Sequence, residues 1–197
     1  MTKQLHAFHS DFAPNWELAE TQYLSPCRWS PNPPPHVSVQ ALWRDDALIF
    51  RLCSDTPPSR AVNTAQDSPV WEDSCLECFL SADGQHYLNL EGNANAAMLA
   101  AFGPDRNNRQ RLADMGIPRP RLQAAACGTG WEAVYTVPAE TLHLLFDVCP
   151  VAGLELWANF YVCGDKTPSP CYGAWNDVQT ETPDFHRPEF FGRLILK

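Results

Sequence analysis

Eighteen prolines punctuate this chain of 197 residues, and they limit its fold more than any other feature. A proline inside a helix removes a backbone hydrogen bond and clashes with the preceding turn, so long helices are disfavoured. The run Pro31-Asn32-Pro33-Pro34-Pro35 stiffens the backbone outright. Between the prolines, apolar residues recur at every second position, the period of a strand with one buried face. Together these predict an all-β chain with long loops and at most short helical turns.

The clearest alternation is Val37, Val39, Ala41, Trp43, then a turn at Arg44-Asp45-Asp46-Ala47, then Leu48, Phe50, Leu52. This is a β-hairpin. A second hairpin turns at Asp83-Gly84. Its first strand, within 71–80, sends Leu76, Cys78 and Leu80 one way and Asp73, Cys75, Glu77 and Phe79 the other. Its second strand, 85–94, sets Leu88 and Leu90 against Tyr87, Asn89, Glu91 and Asn93. In 154–163, Leu156, Ala158, Phe160 and Val162 oppose Glu155, Trp157, Asn159 and Tyr161. Residues 96–101 read as a short helical turn, 138–142 as another, and 193–196 as a closing strand. Residues 1–36 read as an irregular lead-in, with one or two short extended pieces, packed on the rest. The whole, 1–197, is expected to form one domain, a β-sandwich of two mainly antiparallel sheets.

Charge and cysteine usage narrow the function. Fourteen basic and twenty-three acidic residues give 14 − 23 = −9, which repels nucleic-acid phosphates. No run of roughly 18 apolar residues exists to span a membrane. The N-terminal stretch lacks the apolar core of a secretory signal, so the eight cysteines are expected to be reduced thiols in a cytoplasmic protein. The Cys75-x-x-Cys78 pair sits in a strand, where positions three apart face opposite ways, so it is a poor chelate. The six histidines are scattered, and neither a G-x-S-x-G motif nor a glycine-rich phosphate loop occurs.

The polar strand faces are the remaining chemistry. Rows of Tyr, Asn, Glu and Asn suit either a solvated sheet face or the floor of a polar-ligand site. An Arg-rich loop follows, with Arg106 and Arg109 able to deliver a guanidinium. Aromatic rings stack on the C–H faces of a sugar, and planar Glu, Asn and Arg groups pair with its hydroxyls. Trp71 and Trp175, beside Pro, Gly or Asn, are the candidate platforms. The opposed Glu77 and Glu91 raise glycoside hydrolysis as an alternative.

The segments Pro69-Val70-Trp71-Glu72-Asp73-Ser74-Cys75-Leu76-Glu77 and Tyr87-Leu88-Asn89-Leu90-Glu91-Gly92-Asn93 resemble paired strands of the family 9 carbohydrate-binding modules. The likeness is closer to stand-alone bacterial proteins of that type. It extends through the Arg-rich loop at 103–111, Asn159–Asp165, Trp175 and the tail Pro183–Gly192. The resemblance implies a β-sandwich that binds a small sugar or chain end between two Trp, with a role in carbohydrate catabolism. By motif position it implies Trp71 as one clamp and Glu77 as a hydroxyl acceptor, with Trp175 as the second clamp. Asn89, Glu91, Asn159 and an Arg from 106 or 109 complete the site. It further implies that structural calcium can occur, although no ligand loop is evident. Related sandwiches bind haem, for which Met98 with His86 or His186 would be the axial candidates.

Overall fold

The computed structural model describes residues 2–197. The first third of the chain forms β1 (Gln4–His9), the short β2 (Gln22–Tyr23) and β3 (Ser25–Pro26), then β4 (Val37–Arg44) and β5 (Ala47–Ser54). The middle forms β6 (Cys75–Ser81), β7 (Tyr87–Asn93), β8 (Met98–Gly103), β9 (Gln110–Arg111), β10 (Arg121–Cys127) and β11 (Gly130–Pro138). After helix α1 (Ala139–Phe146) come β12 (Glu155–Cys163), β13 (Tyr172–Ala174) and β14 (Gly192–Leu196).

The strands form two layers. The back layer runs β10-β11-β5-β4 and the front layer β14-β12-β6-β7-β8-β9. Strand β1 seams them: Gln4–Ala7 pairs parallel with β14, and Phe8–His9 pairs parallel with β4. The β4–β5 register, from Val37 opposite Ser54 to Arg44 opposite Ala47, places Val39, Ala41, Phe50 and Leu52 inward and fully buried. They meet Leu76, Leu80, Leu90, Phe160 and Leu194 of the front layer in one core. Burial of such side chains is the main force holding the layers together.

The front layer is buried on both faces. Every residue of β6 and β7 is buried, because loops fold over the outer face and add a second core of Phe79, Tyr87, Leu99, Tyr161, Val178 and Phe185. The row of Tyr, Asn, Glu and Asn is therefore covered rather than solvated.

Three local expectations are corrected. The lead-in is more than an irregular segment packed on the domain, since its strand β1 contributes the buried Leu5 and Ala7 and links the layers. Residues 96–101 leave a turn and enter strand β8 at Met98, rather than forming a helical turn. A positive φ of 57° at Ala96 and the Asn93 side chain, accepting from Asn95 N and Ala97 N, form a turn that sequence patterning misses. The cysteines are not all reduced: Cys53 of β5 and Cys127 of β10 form a disulfide. These strands flank β11, a neighbour relation invisible at a separation of 74 residues. No helix among the described residues is long and apolar enough to cross a membrane.

Candidate functional site

The outer face of the front layer presents its side chains in rows fixed by register. Tyr161, Glu77, Glu91 and Leu99 are successive neighbours across β12, β6, β7 and β8; Cys163, Cys75 and Asn93 form the adjacent row. Glu77 and Glu91 are thus directly opposed on adjacent strands, and each is only 3% exposed.

The loop that carries Trp71 is tied down by Asp73. Its carboxylate, fully buried, accepts from Asn63 N at 2.9 Å and from Asn93 Nδ2 at 2.8 Å. It also forms an ion pair with Arg60 at 3.1 Å. Burial alone would raise its pKa, but the hydrogen bonds outweigh burial and hold it below its ordinary value. Two residues earlier, a 3₁₀ turn over Val70–Glu72 stands Trp71 at the rim. The Trp71 carbonyl accepts from Asp165 N, and Lys166 reaches Glu72 at 2.8 Å.

Above this floor lies a cavity of about 230 Å³. Trp29, Trp71, Tyr172 and Phe185 supply aromatic walls; Glu77, Glu91, Arg109 and Asp165 supply the polar ones. Trp29 packs on Tyr172 at 5.1 Å and on Phe185 at 5.4 Å between ring centres. Its indole N–H is buried without a hydrogen-bond partner in the protein. Such a volume is below the ~300–1,000 Å³ of drug-sized ligand pockets and suits a ligand of one or two small rings.

Electrostatics separates the two glutamates. Glu91 accepts from Arg109 at 3.0 Å and from Asn89 Nδ2 at 2.8 Å. Glu77 accepts the Cys163 thiol at 2.9 Å. Burial, then repulsion from Glu91, pushes Glu77 well above the ordinary carboxyl range. Burial raises Glu91 too, and the Arg109 guanidinium offsets part of that rise. Of the two, Glu77 is therefore the one that takes a proton more readily.

At the far wall His186 Nδ1 lies 2.8 Å from the Tyr87 hydroxyl. Burial first, then Arg109 and Arg106, drives its pKa down to about 2, so the imidazole is neutral and the pair shares a single hydrogen bond. Arg106, at the exposed rim, pairs with Asp184 at 3.1 Å.

The structure brings together Trp71, Glu77, Glu91, Arg106 and Arg109. Asn89 lies beneath them, fully buried, and positions Glu91. Asn159 and Trp175 are elsewhere. Asn159 donates to the carbonyls of Asn176 and Phe190, clamping the tail. Trp175 is fully buried in the core between the layers, 5.6 Å from the Phe160 ring, with its indole N–H on Gln22. Strand β13 places Ala174 in the outer core and turns its neighbour Trp175 inward. The second tryptophan at the cavity is Trp29, which sequence reading left in the lead-in. His186 and Tyr172 join it from the tail. A Trp beside a proline-rich bend was the one signal available for Trp29.

Two cofactor expectations meet the same test. Calcium takes six to eight oxygen ligands, usually with several carboxylates. The aspartates flanking Trp71 are already engaged by guanidinium groups: Asp73 by Arg60, and Asp67 by Arg119 at 2.7 and 3.0 Å. That loop does not fit calcium. For haem, Met98 lies in the inner core and His186 on the opposite side of the front layer, while His86 pairs with Asp83 at the hairpin end. The axial candidates do not face one another.

The family model for "Carbohydrate-binding family 9" matches residues 14–196. The chain belongs to carbohydrate-binding family 9. Among solved structures, it is similar to a Bacteroides uniformis protein assigned as carbohydrate-binding, at 24% identity over all of both chains, with a TM-score of 0.83. It is also similar to a family 9 module from Caldicellulosiruptor kristjanssonii in complex with glucose. That match has 15% identity, covers 99% of this chain and 96% of the module, and gives a TM-score of 0.68. The cellotriose complex from the same organism matches at 15% identity and a TM-score of 0.69, over 99% and 94%. At these identities the family 9 likeness concerns the sandwich itself. No curated protein sequence matches the chain.

Proposed function

We propose that this family 9 chain binds a small sugar or the end of a glycan chain without transforming it. The observation that carries the reading is the pairing of Trp29 and Trp71 with the Glu77–Glu91–Arg109 floor around one cavity. Aromatic faces take the apolar side of a pyranose, while a carboxylate and a guanidinium on one floor chelate adjacent hydroxyls. That the related modules were solved with glucose and with cellotriose supports the same ligand class.

The two glutamates favour binding over hydrolysis. Glycosidases place their two carboxyl groups on either side of the scissile bond. Here Glu77 and Glu91 are cross-strand neighbours on one sheet face, so a ligand on the floor meets both from the same side.

Calorimetric titration with glucose and with cellotriose tests this. Saturable binding is the expected result, weakened at least tenfold in Trp29→Ala and in Trp71→Ala, with circular dichroism unchanged and the sugar recovered intact. Absence of binding across mono- and oligosaccharides, or release of hydrolysis products, would overturn the reading.

A further inference from the structure

The cavity floor holds a cluster of which the sugar-binding reading uses only Glu77. Cys75 and Cys163 are register partners on β6 and β12, so their side chains leave the sheet on the same face and meet. Glu77, two residues along β6, leaves from that face as well. One ligand atom from each of Cys75, Glu77 and Cys163 lies within 4.8 Å of the others. The three residues are 0%, 3% and 4% exposed. Glu77 and Cys163 border the sugar cavity, and both thiols border a second cavity of about 340 Å³ lined by Pro33, Trp131 and Cys171. The cluster is therefore enclosed by protein yet reachable from two sides.

We propose that Cys75, Cys163 and Glu77 form a binding site for one thiophilic divalent ion, of the Zn²⁺ or Cd²⁺ kind. Two sulfur donors select such ions over Ca²⁺ and Mg²⁺, which prefer oxygen throughout. Three protein ligands leave one tetrahedral position, which water from the cavity fills. The donors already converge, since the Cys163 thiol spans 2.9 Å to Glu77, and the ion replaces that bridging proton. Both S–H bonds break, two S–metal bonds and one O–metal bond to Glu77 form, and the thiol protons, with any proton held on Glu77, leave to solvent. Cys78 takes no part, because it lies in the inner core on the other side of the sheet. Resting on the sugar-binding reading, a further consequence is antagonism: the ion occupies Glu77, so metal and sugar weaken one another by equal factors.

The test is a Cd²⁺ titration of the Cys149→Ser protein, which removes the exposed free thiol, with the Cys53–Cys127 disulfide closed. The expected result is an ultraviolet thiolate-to-cadmium band that saturates at one equivalent, with at least two protons released per ion. Cys163→Ser and Cys75→Ser should each lose at least half the band and at least tenfold in affinity. No band, or a band untouched by Cys163→Ser, overturns the site. Zinc-edge absorption on the wild-type protein decides the question if either serine variant fails to fold. Two sulfur neighbours at about 2.3 Å support the site, and a shell of nitrogen and oxygen alone overturns it. Glucose titrations with and without Cd²⁺ address the antagonism, and a protein that binds cadmium but no sugar would sink only the sugar reading.

Discussion

Trp29 and Trp175 both pack among aromatic rings, yet only Trp29 borders open space. Their truncations should separate cleanly. Trp175→Ala empties the inner core and should cost about 3–5 kcal/mol of stability, read as a lower urea midpoint. Trp29→Ala should leave the midpoint within about 1 kcal/mol while weakening sugar binding by about 2 kcal/mol, roughly thirtyfold. The reverse pattern would show the two rings exchanged in role. His186 offers a second residue-scale prediction, through pH. Its folded pKa, near 2, is below its ordinary 6.5. Between those values the unfolded chain binds a proton that the folded chain refuses. Stability therefore falls as pH drops below about 6.5, by up to ~1.4 kcal/mol per pH unit, and is insensitive to this group above it. The groups that face the ring are Tyr87, Arg109, Arg106 and Asp105, and the cationic pair outweighs the aspartate. His186→Gln should flatten the fall in urea midpoint from pH 6.5 to 4.5. An unchanged slope in the variant would sink the idea.

At the scale of elements, Asp73 links a loop to a strand. Its carboxylate ties residues 60–63 to Asn93 of β7, and the turn bearing Trp71 ends on it. Asp73→Ala leaves Arg60 and two amides short of a partner, so about 2–3 kcal/mol of stability should be lost. Hydrogen exchange should rise first in 60–74, ahead of β6, and sugar affinity should fall with it. Exchange that rises uniformly would mean the loop is held by something else. Strand β14 makes a comparable case: a Cβ on Gly192 would press into the Trp175 ring, so Gly192→Ala should destabilise by about 1–3 kcal/mol through overpacking. These elements also show what the sequence made legible. Alternation located β4, β5, β6, β7 and β12 and assigned their faces, because a strand's period is a property of neighbouring residues. It could not say that loops cover the outer face. Nor could it place Trp29, because that position depends on a contact with Tyr172 at a sequence separation of 143 (172 − 29). Trp175 misled for a related reason: its flanking residues suggested a loop edge, while a three-residue strand turned it inward.

For the molecule as a whole, the two layers are joined by chain crossings and by the hydrogen-bonded seam of β1, and the back layer carries its own crosslink. The Cys53–Cys127 bridge closes a loop of 74 residues across β5 and β10, strands already separated only by β11. In the folded protein it adds little order. In the unfolded chain it removes many conformations, and the chain-entropy relation gives about 4 kcal/mol for a loop of this length. The Cys53→Ser/Cys127→Ser double variant should therefore unfold at a lower urea concentration. Its denaturant dependence should steepen, since an unbridged chain exposes more surface. None of the residues lining the sugar cavity belongs to β5 or β10, so glucose affinity should stay within a factor of two. A variant with the wild-type midpoint would show that the denatured ensemble is already compact around these strands. A variant that loses sugar affinity at full stability would instead mean that the back layer shapes the site through the core, which the separation of the two predicts it does not.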